Sequence, residues 1–298
     1  MVPSPITNKP CKIIDTFSVK EVIEGYRKDI GIDVSNYFGE SENLPLYQCE
    51  DTQLRFFYPQ ALAGDDLFYT SLEDRQGYYD EWKWDYEFAL PFIDHSSKVL
   101  DIGCGRGAFL KKIKDEKNCT VKGLELNPSA FEFIKQRGID VEMRTIEDFS
   151  TDHKNEFDFV VFFQVLEHIL DVKSFITSAI ACLKPGGKLI LAVPNNEPYL
   201  FGFVKYDWLN LPPHHMTWWN KEALSNITKY FPLREITIKA KPFREYNSYL
   251  SSELLNRKIS RPGSVAWFKL TRFIRKQLIQ INREKIPGVF IAAVYEKI

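Results

Sequence analysis

The stretch Val99-Leu-Asp-Ile-Gly-Cys-Gly-Arg-Gly-Ala-Phe109, VLDIGCGRGAF, decides the fold. Its first four residues, with Lys98 before them, read as a short, largely apolar strand. Gly103, Gly105 and Gly107 follow at alternate positions, and AFLKKIK then has the spacing of a helix. Glycines between a strand and a helix let the backbone approach a ligand closely, with amides and the helix N-terminus aimed at it. In ligand-binding α/β sheets this edge, at the C-terminal ends of the strands, is the usual site. Gly103-x-Gly105-x-x-Ala108 nearly fits the dinucleotide fingerprint, so the loop by itself leaves the choice of nucleotide open.

Working outward, strands and helices alternate. VKGLEL is a second strand. Asn127-Pro128 then supplies an N-cap and a proline at the first helical position, and SAFEFIKQRG closes on a glycine. IDVEMRT reads as a third strand and FDFVVFF as a fourth. Asp171 caps a helix with apolar residues at 172, 175, 176, 179, 180 and 183, a 3.6-residue period. KPGG turns the chain into the strand KLILAV. After Pro194 comes a long loop, then a helix at KEALSNITKYF, a strand at LREITIKA and a last strand at GVFIAAVYEK. This alternation predicts an α/β fold with a doubly wound, mostly parallel sheet and helices on both faces. Residues 1–95 read as an irregular, aromatic-rich extension, 96–298 as the cofactor domain, and about 246–286 as a C-terminal helical insertion.

Two carboxylates narrow the choice of nucleotide. Glu125 ends the second strand, where it can accept both hydroxyls of a ribose. Asp101 precedes the glycine loop; it would be repelled by a pyrophosphate but suits an amino-acid ammonium. VLDIGCGRG, GLELNP, FDFVVFFQVLEHI and LKPGGKLILAVPN occur in that order and spacing. Together they resemble the class I S-adenosylmethionine-dependent methyltransferases, from about Lys98 to Asn195 with the final strand agreeing. The resemblance implies a Rossmann-like, seven-stranded sheet with S-adenosyl-L-methionine as cofactor. It implies Asp101, Gly103 and Gly105 along the methionine part, Glu125 on the ribose and Leu126 beside the adenine. Thr145-Ile146-Glu147 would cover the adenine edge, and Gln164 would sit near the sulfonium. Cys104 and Arg106 read as loop filler and surface.

Methyl transfer from a sulfonium is an in-line displacement, and a hydroxyl nucleophile must also lose a proton. Histidine is the natural base near neutral pH. His95 and His153 read as surface residues. His168, in QVLEHI, follows the fourth strand, and His214 and His215 lie in LNLPPHHMTWW (209–219), the loop after the fifth strand. In the family that loop forms the acceptor side, which makes His215, His214 and His168 the candidates for proton removal. Pro212-Pro213 stiffens the approach. Trp218, with His214, is expected to contact the acceptor through a flat apolar surface, while Trp219 is expected to pack the loop onto the sheet. A metal on His214, His215 and Glu167 is not expected, since adjacent histidines are not a diagnostic ligand spacing.

The bulk numbers exclude several classes. The chain has 298 residues, 44% hydrophobic and 27% charged, with a net charge of −1, which is ordinary for a globular protein and gives no case for nucleic-acid binding. No apolar run reaches the ~18 residues of a membrane span, and MVPSPITNKPCKII lacks the layout of a signal peptide. Five scattered cysteines favour neither a disulfide framework nor zinc, and a cytoplasmic location is the expectation. Tyr78, Tyr79 and Trp82 lie in a segment of helical spacing just before the cofactor domain and could face the sulfonium. Residues 257–285 carry nine Lys/Arg and one Glu, and read as a basic amphipathic helix. It could pack on its own protein, dock a partner, or make peripheral contact with an anionic membrane. The expected activity is O-methylation of a sugar, glycan or small-molecule hydroxyl. A quinone-type phenol or an amine is the alternative acceptor, and a non-catalytic cofactor-binding scaffold the alternative of another class. The oligomeric state stays open.

Overall fold

In chain order the elements are β1 (Lys12–Ser18), α1 (Val19–Gly25), β2 (Asn43–Gln48), β3 (Arg55–Phe57), α2 (Asp66–Glu73), α3 (Trp84–Ala89), β4 (Lys98–Ile102) and α4 (Ala108–Lys117). Then come β5 (Thr120–Leu124), α5 (Pro128–Gln136), β6 (Val141–Glu142), α6 (Ile146–Phe149), β7 (Phe157–Phe163), α7 (Val172–Cys182) and β8 (Leu183–Pro194). The last are β9 (Thr217–Trp218), α8 (Lys221–Asn226), β10 (Leu233–Pro242) and β11 (Pro287–Lys297). This computed structural model describes residues 2–73, 83–197, 207–242 and 287–298. Tyr78, Tyr79, Trp82 and the insertion at 246–286, with its basic segment 257–285, lie outside the described residues.

Seven strands form one sheet in the order β10-β11-β8-β7-β4-β5-β6. The pairs from β8 to β6 are parallel, and β11 is antiparallel to both β8 and β10. Strand order reverses at β4, whose neighbours are β5 and β7, so a crevice opens at its C-terminal end, where the glycine loop begins. Helices cover both faces. Phe149 (α6), Phe175 and Ile176 (α7) and Leu224 (α8) share one core. Ala89 (α3), Phe109 and Leu110 (α4) and Ile134 (α5) share the other. The local signals act as caps. Asn127 accepts from Ala130 N at 2.9 Å, Asp171 from Ser174 N at 2.9 Å, and Asn220 from Ala223 N at 2.8 Å.

Three features depart from the sequence reading. β6 is only Val141–Glu142, not 139–145. It is an edge strand with β5 as its one neighbour, and Glu142 is paired with Lys122 and Arg144 in ion pairs that need no ladder. β8 begins at Leu183, ahead of the KPGG turn. Its pairing jumps from Phe157↔Leu183 to Phe159↔Lys188, so the glycines bulge out of a continuous strand, with Gly186 at φ +75.

The third departure is the N-terminal region, which is not irregular. β1, β2, β3 and β9 form a second, antiparallel sheet in that order, over a core containing Phe17, Leu44, Leu46, Phe57 and Trp218. There is no break in packing at 95/96. Ala89 and Ile93 share a core with α4 and α5, and Ile6 and Leu54 join the opposite face. No helix among the described residues is long and apolar enough to cross a membrane.

Candidate active site

The glycine loop needs its glycines. Gly103 and Gly107 have φ of +70 and +73. A Cβ on Gly103 would lie 2.6 Å from Val165 Cγ2, and one on Gly107 2.4 Å from Ile134 Cδ1. Gly103 N and Cys104 N both donate to Leu124 O, at 2.8 and 3.1 Å, which pins the loop to β5. Glu125 closes the turn. Its Oε2 accepts from Gly105 N at 2.7 Å and its Oε1 from Asn127 N at 2.8 Å. A carboxylate oxygen can accept more than one hydrogen bond, which is the chemistry a ribose hydroxyl requires. Cys104 is not loop filler. It is buried, and a Cβ on Gly123 would meet its Sγ at 2.6 Å.

A cavity of about 1110 Å³ runs past this loop. Its wall includes Gly103, Gly105, Glu125, Leu126, Ile146 and Gln164, and also His168, His214 and His215. Leu126 and Met143 stand 58% and 45% exposed along it, although both are apolar. An adenine between them would cover that surface, and a ribose would meet Glu125, so the residues fit S-adenosyl-L-methionine. Asp101 is not in the wall. It lies behind the loop, 3% exposed, with burial and then Glu125 pushing its carboxyl well above the usual range. A cation nearby is what would hold it ionised. Gln164 turns the end of β7 at φ +57 and donates from Nε2 to Asp85 Oδ2 at 3.0 Å.

The loop 209–219 joins the two sheets. Successive residues of an extended chain point to opposite sides, so Trp218 enters the core of the N-terminal sheet and Trp219 the core of the main one. Trp218 therefore does not touch the cavity, contrary to the acceptor-binding role expected for it. It is 2% exposed, packs edge-on against Phe17 and Phe57, and donates to Asn210 O. Met216 N donates to Glu167 O at 2.8 Å, and Thr217 Oγ1 to Leu166 O at 3.0 Å. These bonds bring the loop against the QVLEHI turn and the three histidines together.

Their ring centroids are 4.4 to 5.0 Å apart, and one ring nitrogen of each lies within 4.8 Å of the others. Every Nδ1 is engaged: His168 with His214 O at 2.7 Å, His214 with Leu209 O at 2.9 Å, and His215 with Asn210 Oδ1 at 3.1 Å. Asn210 is itself held, donating to Asn196 Oδ1 at 2.8 Å. Tyr69 Oη lies 3.2 Å from His168 Nδ1. The sequence reading passed over Tyr69, Asn210 and Asp85. Tyr69 sits far from the motifs in sequence, Asn210 lies in the quoted loop but looks there like an ordinary loop asparagine, and an aspartate in the first turn of α3 looks like an ordinary helix start.

Burial keeps the three rings neutral. His168 is lowered to about 4. His214, also opposed by His168, is lowered to about 3, and His215 falls well below 6.5. Two buried carboxyls move the other way, Glu167 to about 8 and Asp85 to about 6, both by loss of solvent. Glu167 Oε2 and Asp85 Oδ1 have no hydrogen-bond partner among the described residues. The histidines bind more protons unfolded than folded, so their contribution is present above pH 6.5 and is lost as pH falls toward 4. The contribution of Glu167 is present below pH 4.5 and is lost as pH rises through 8. With three imidazoles against two carboxyls, thermal unfolding across pH should show greatest stability near pH 6.5, a steep acid limb and a shallow alkaline one. A profile still rising between pH 6.5 and 8 would contradict the neutral Glu167.

A family profile described as "Methyltransferase domain" matches residues 72–233. The chain belongs to this family. Its cofactor is S-adenosyl-L-methionine, and the fold is that of an S-adenosylmethionine-dependent methyltransferase domain. A ubiquinone biosynthesis O-methyltransferase of Pseudomonas syringae pv. tomato is 36% identical over 125 residues, 39% of this chain and 53% of that protein. One of Idiomarina loihiensis is 28% identical over 169 residues, 52% of this chain and 69% of that protein. The chain thus spans about half the length of the first of these relatives. A SAM-dependent methyltransferase structure from Archaeoglobus fulgidus shares the fold, with a TM-score of 0.52 at 20% identity, over 71% of this chain and 90% of that one.

Proposed function

We propose that the methyltransferase domain methylates a hydroxyl oxygen of a polar small molecule, sugar or glycan. The observation that carries this reading is one cavity lined both by the glycine loop and by three histidines. When bound, S-adenosyl-L-methionine supplies a methyl group on a sulfonium, an already activated leaving group. The protein aligns and desolvates the reactants. Glu125 holds the cofactor end, and Gln164, fixed by Asp85, shapes the middle. The histidine cluster receives the acceptor hydroxyl and handles its proton, with His215 oriented through Asn210 and Asn196. Asn195, Asn196, Asn210, Asp66 and Thr70 line the same cavity, a density of donors and acceptors suited to a polyol.

The quinone-type phenol is the second reading. The names of the curated relatives favour it, as do Phe175, Val289 and Phe290 in the wall. A cofactor-consumption assay over nucleotide sugars, lipid-linked glycans and catechol-type phenols separates the two. Turnover with polyols alone supports the first reading. Turnover confined to phenols overturns it, and cofactor binding with no turnover on any acceptor points to a scaffold. Anionic liposomes in the same assay test peripheral membrane contact through 257–285, which is expected to raise binding or rate if that segment docks.

A further inference from the structure

We propose that Asp66 and Thr70, on one face of α2, bind a vicinal diol of the acceptor and hold it beside the histidines. The inference rests on the reading of this cavity as a site of hydroxyl methylation, and it names the class of molecule that enters.

α2 has two distinct working faces. Phe68 and Leu72 are buried and belong to the core of the N-terminal sheet. Asp66, Tyr69 and Thr70 stand at i, i+3 and i+4, which groups them on a different face, and all three line the cavity. The helix is tied to the histidine loop at two points. Gly64 N, just before it, donates to Pro213 O at 2.8 Å. Tyr69 Oη lies 3.2 Å from His168 Nδ1 and 3.4 Å from His214 O. A molecule held at Asp66 and Thr70 therefore lies next to the residue that touches two of the three histidines.

The hydrogen-bond roles on this face are set. Of the two adjacent aspartates, Asp65 serves the helix: its Oδ1 accepts from Phe68 N at 3.0 Å and from Tyr37 Oη at 2.6 Å. Asp66 turns to the cavity, where a carboxylate can only accept. Thr70 Oγ1 donates its one hydrogen to Asp66 O at 2.8 Å, so it too meets a ligand as an acceptor. Two acceptors one helical turn apart, with about 5–6 Å between their Cβ atoms, call for two donors on one small molecule. Adjacent hydroxyls on one ring supply them, and the bond to the carboxylate is the stronger.

Two observations assign this diol to the acceptor rather than to the cofactor. A ribose already finds a carboxylate in Glu125, which is bonded to Gly105 N and Asn127 N. The family profile begins at residue 72, so Asp66, Tyr69 and Thr70 all precede it. They belong to a part of the chain that the shared domain does not include, where features particular to one acceptor are expected.

The test uses the full chain. Methyl transfer is followed by release of S-adenosyl-L-homocysteine, and binding by calorimetry with that product held on the protein. The probes are glucose, galactose and mannose, free and as nucleotide sugars, each beside a deoxy counterpart, and catechol beside phenol. At least one diol is expected to bind ~10-fold or more tightly than its partner lacking one hydroxyl. Asp66→Asn should raise KM for that diol at least ~10-fold and Thr70→Val ~2–10-fold, with most of the loss in KM and S-adenosyl-L-methionine affinity within about twofold of wild type. Both side chains are exposed, and circular dichroism shows whether each variant is folded. A preference among the sugars assigns the site to a pyranose, and one confined to catechol assigns it to an aromatic ring. No diol preference in any pair, unchanged KM in both folded variants, or a loss confined to S-adenosyl-L-methionine affinity overturns the subsite. The two readings fail separately. Methyl transfer to single hydroxyls with no diol preference removes the subsite and leaves the O-methyltransferase. Diol binding that depends on Asp66, with no methyl transfer to any probe, keeps the subsite and removes hydroxyl methylation.

Discussion

Replacing His215 with alanine is expected to lower turnover by at least ~100-fold while changing S-adenosyl-L-methionine affinity by less than about twofold. Proton handling by a positioned group contributes about 10²–10⁴ in rate. The hydrogen bond of His215 runs to Asn210, whereas Glu125 bonds Gly105 N and Asn127 N in the glycine loop and the turn after β5, so cofactor binding should survive. The side chain is 9% exposed, and Asn210 stays tied to Asn196 without it, which limits the structural damage. His168→Ala and His214→Ala should be of similar size and should not add, because the three rings work as one unit. Single-turnover rates, measured beside cofactor titrations, provide the check. Full activity in all three variants would remove the cluster from the chemistry.

The strand, glycine loop and helix that line the cavity were legible from sequence because their signals are local. A strand, three glycines and a helix lie within about twenty residues. The caps at Asn127 and Asp171 bond to amides three residues on. The histidine part of the cavity was only partly legible. LNLPPHHMTWW identified the histidines but not the direction of the tryptophans, because that depends on a second sheet. β9 exists only by pairing with β3, and Arg55↔Trp218 is separated by more than half the chain. The short strands of the N-terminal region looked irregular for the same reason. Likewise, nothing in the spacing of Asp85 and Gln164, or of His168 and His214, shows that they touch. Glu167 drew notice as a metal ligand beside two histidines. The structure instead groups His168 with them and leaves Glu167 in the wall, its Oε2 without a hydrogen-bond partner among the described residues.

The cofactor end carries the other large effect. Glu125→Ala is expected to weaken S-adenosyl-L-methionine binding at least ~100-fold, about 2.7 kcal/mol. Two backbone amides, Gly105 N and Asn127 N, lose a charged acceptor, and hydrogen bonds to charged groups are worth about 1.5–3 kcal/mol each. The loop they hold contains three residues at positive φ, a conformation that glycine adopts easily but also leaves easily. Without the clasp, the loop's ordering cost falls on the cofactor. A ribose would lose its acceptor at the same time. Glu125→Gln separates these causes. A glutamine offers one oxygen, and its amide nitrogen would point a donor at either Gly105 N–H or Asn127 N–H, so one half of the clasp turns repulsive. If the clasp matters, Gln should bind the cofactor nearly as weakly as Ala, despite its size and remaining acceptor. Calorimetric titration of both variants decides this. Near-native affinity in Glu125→Gln would show that a single acceptor suffices and that the clasp contributes little.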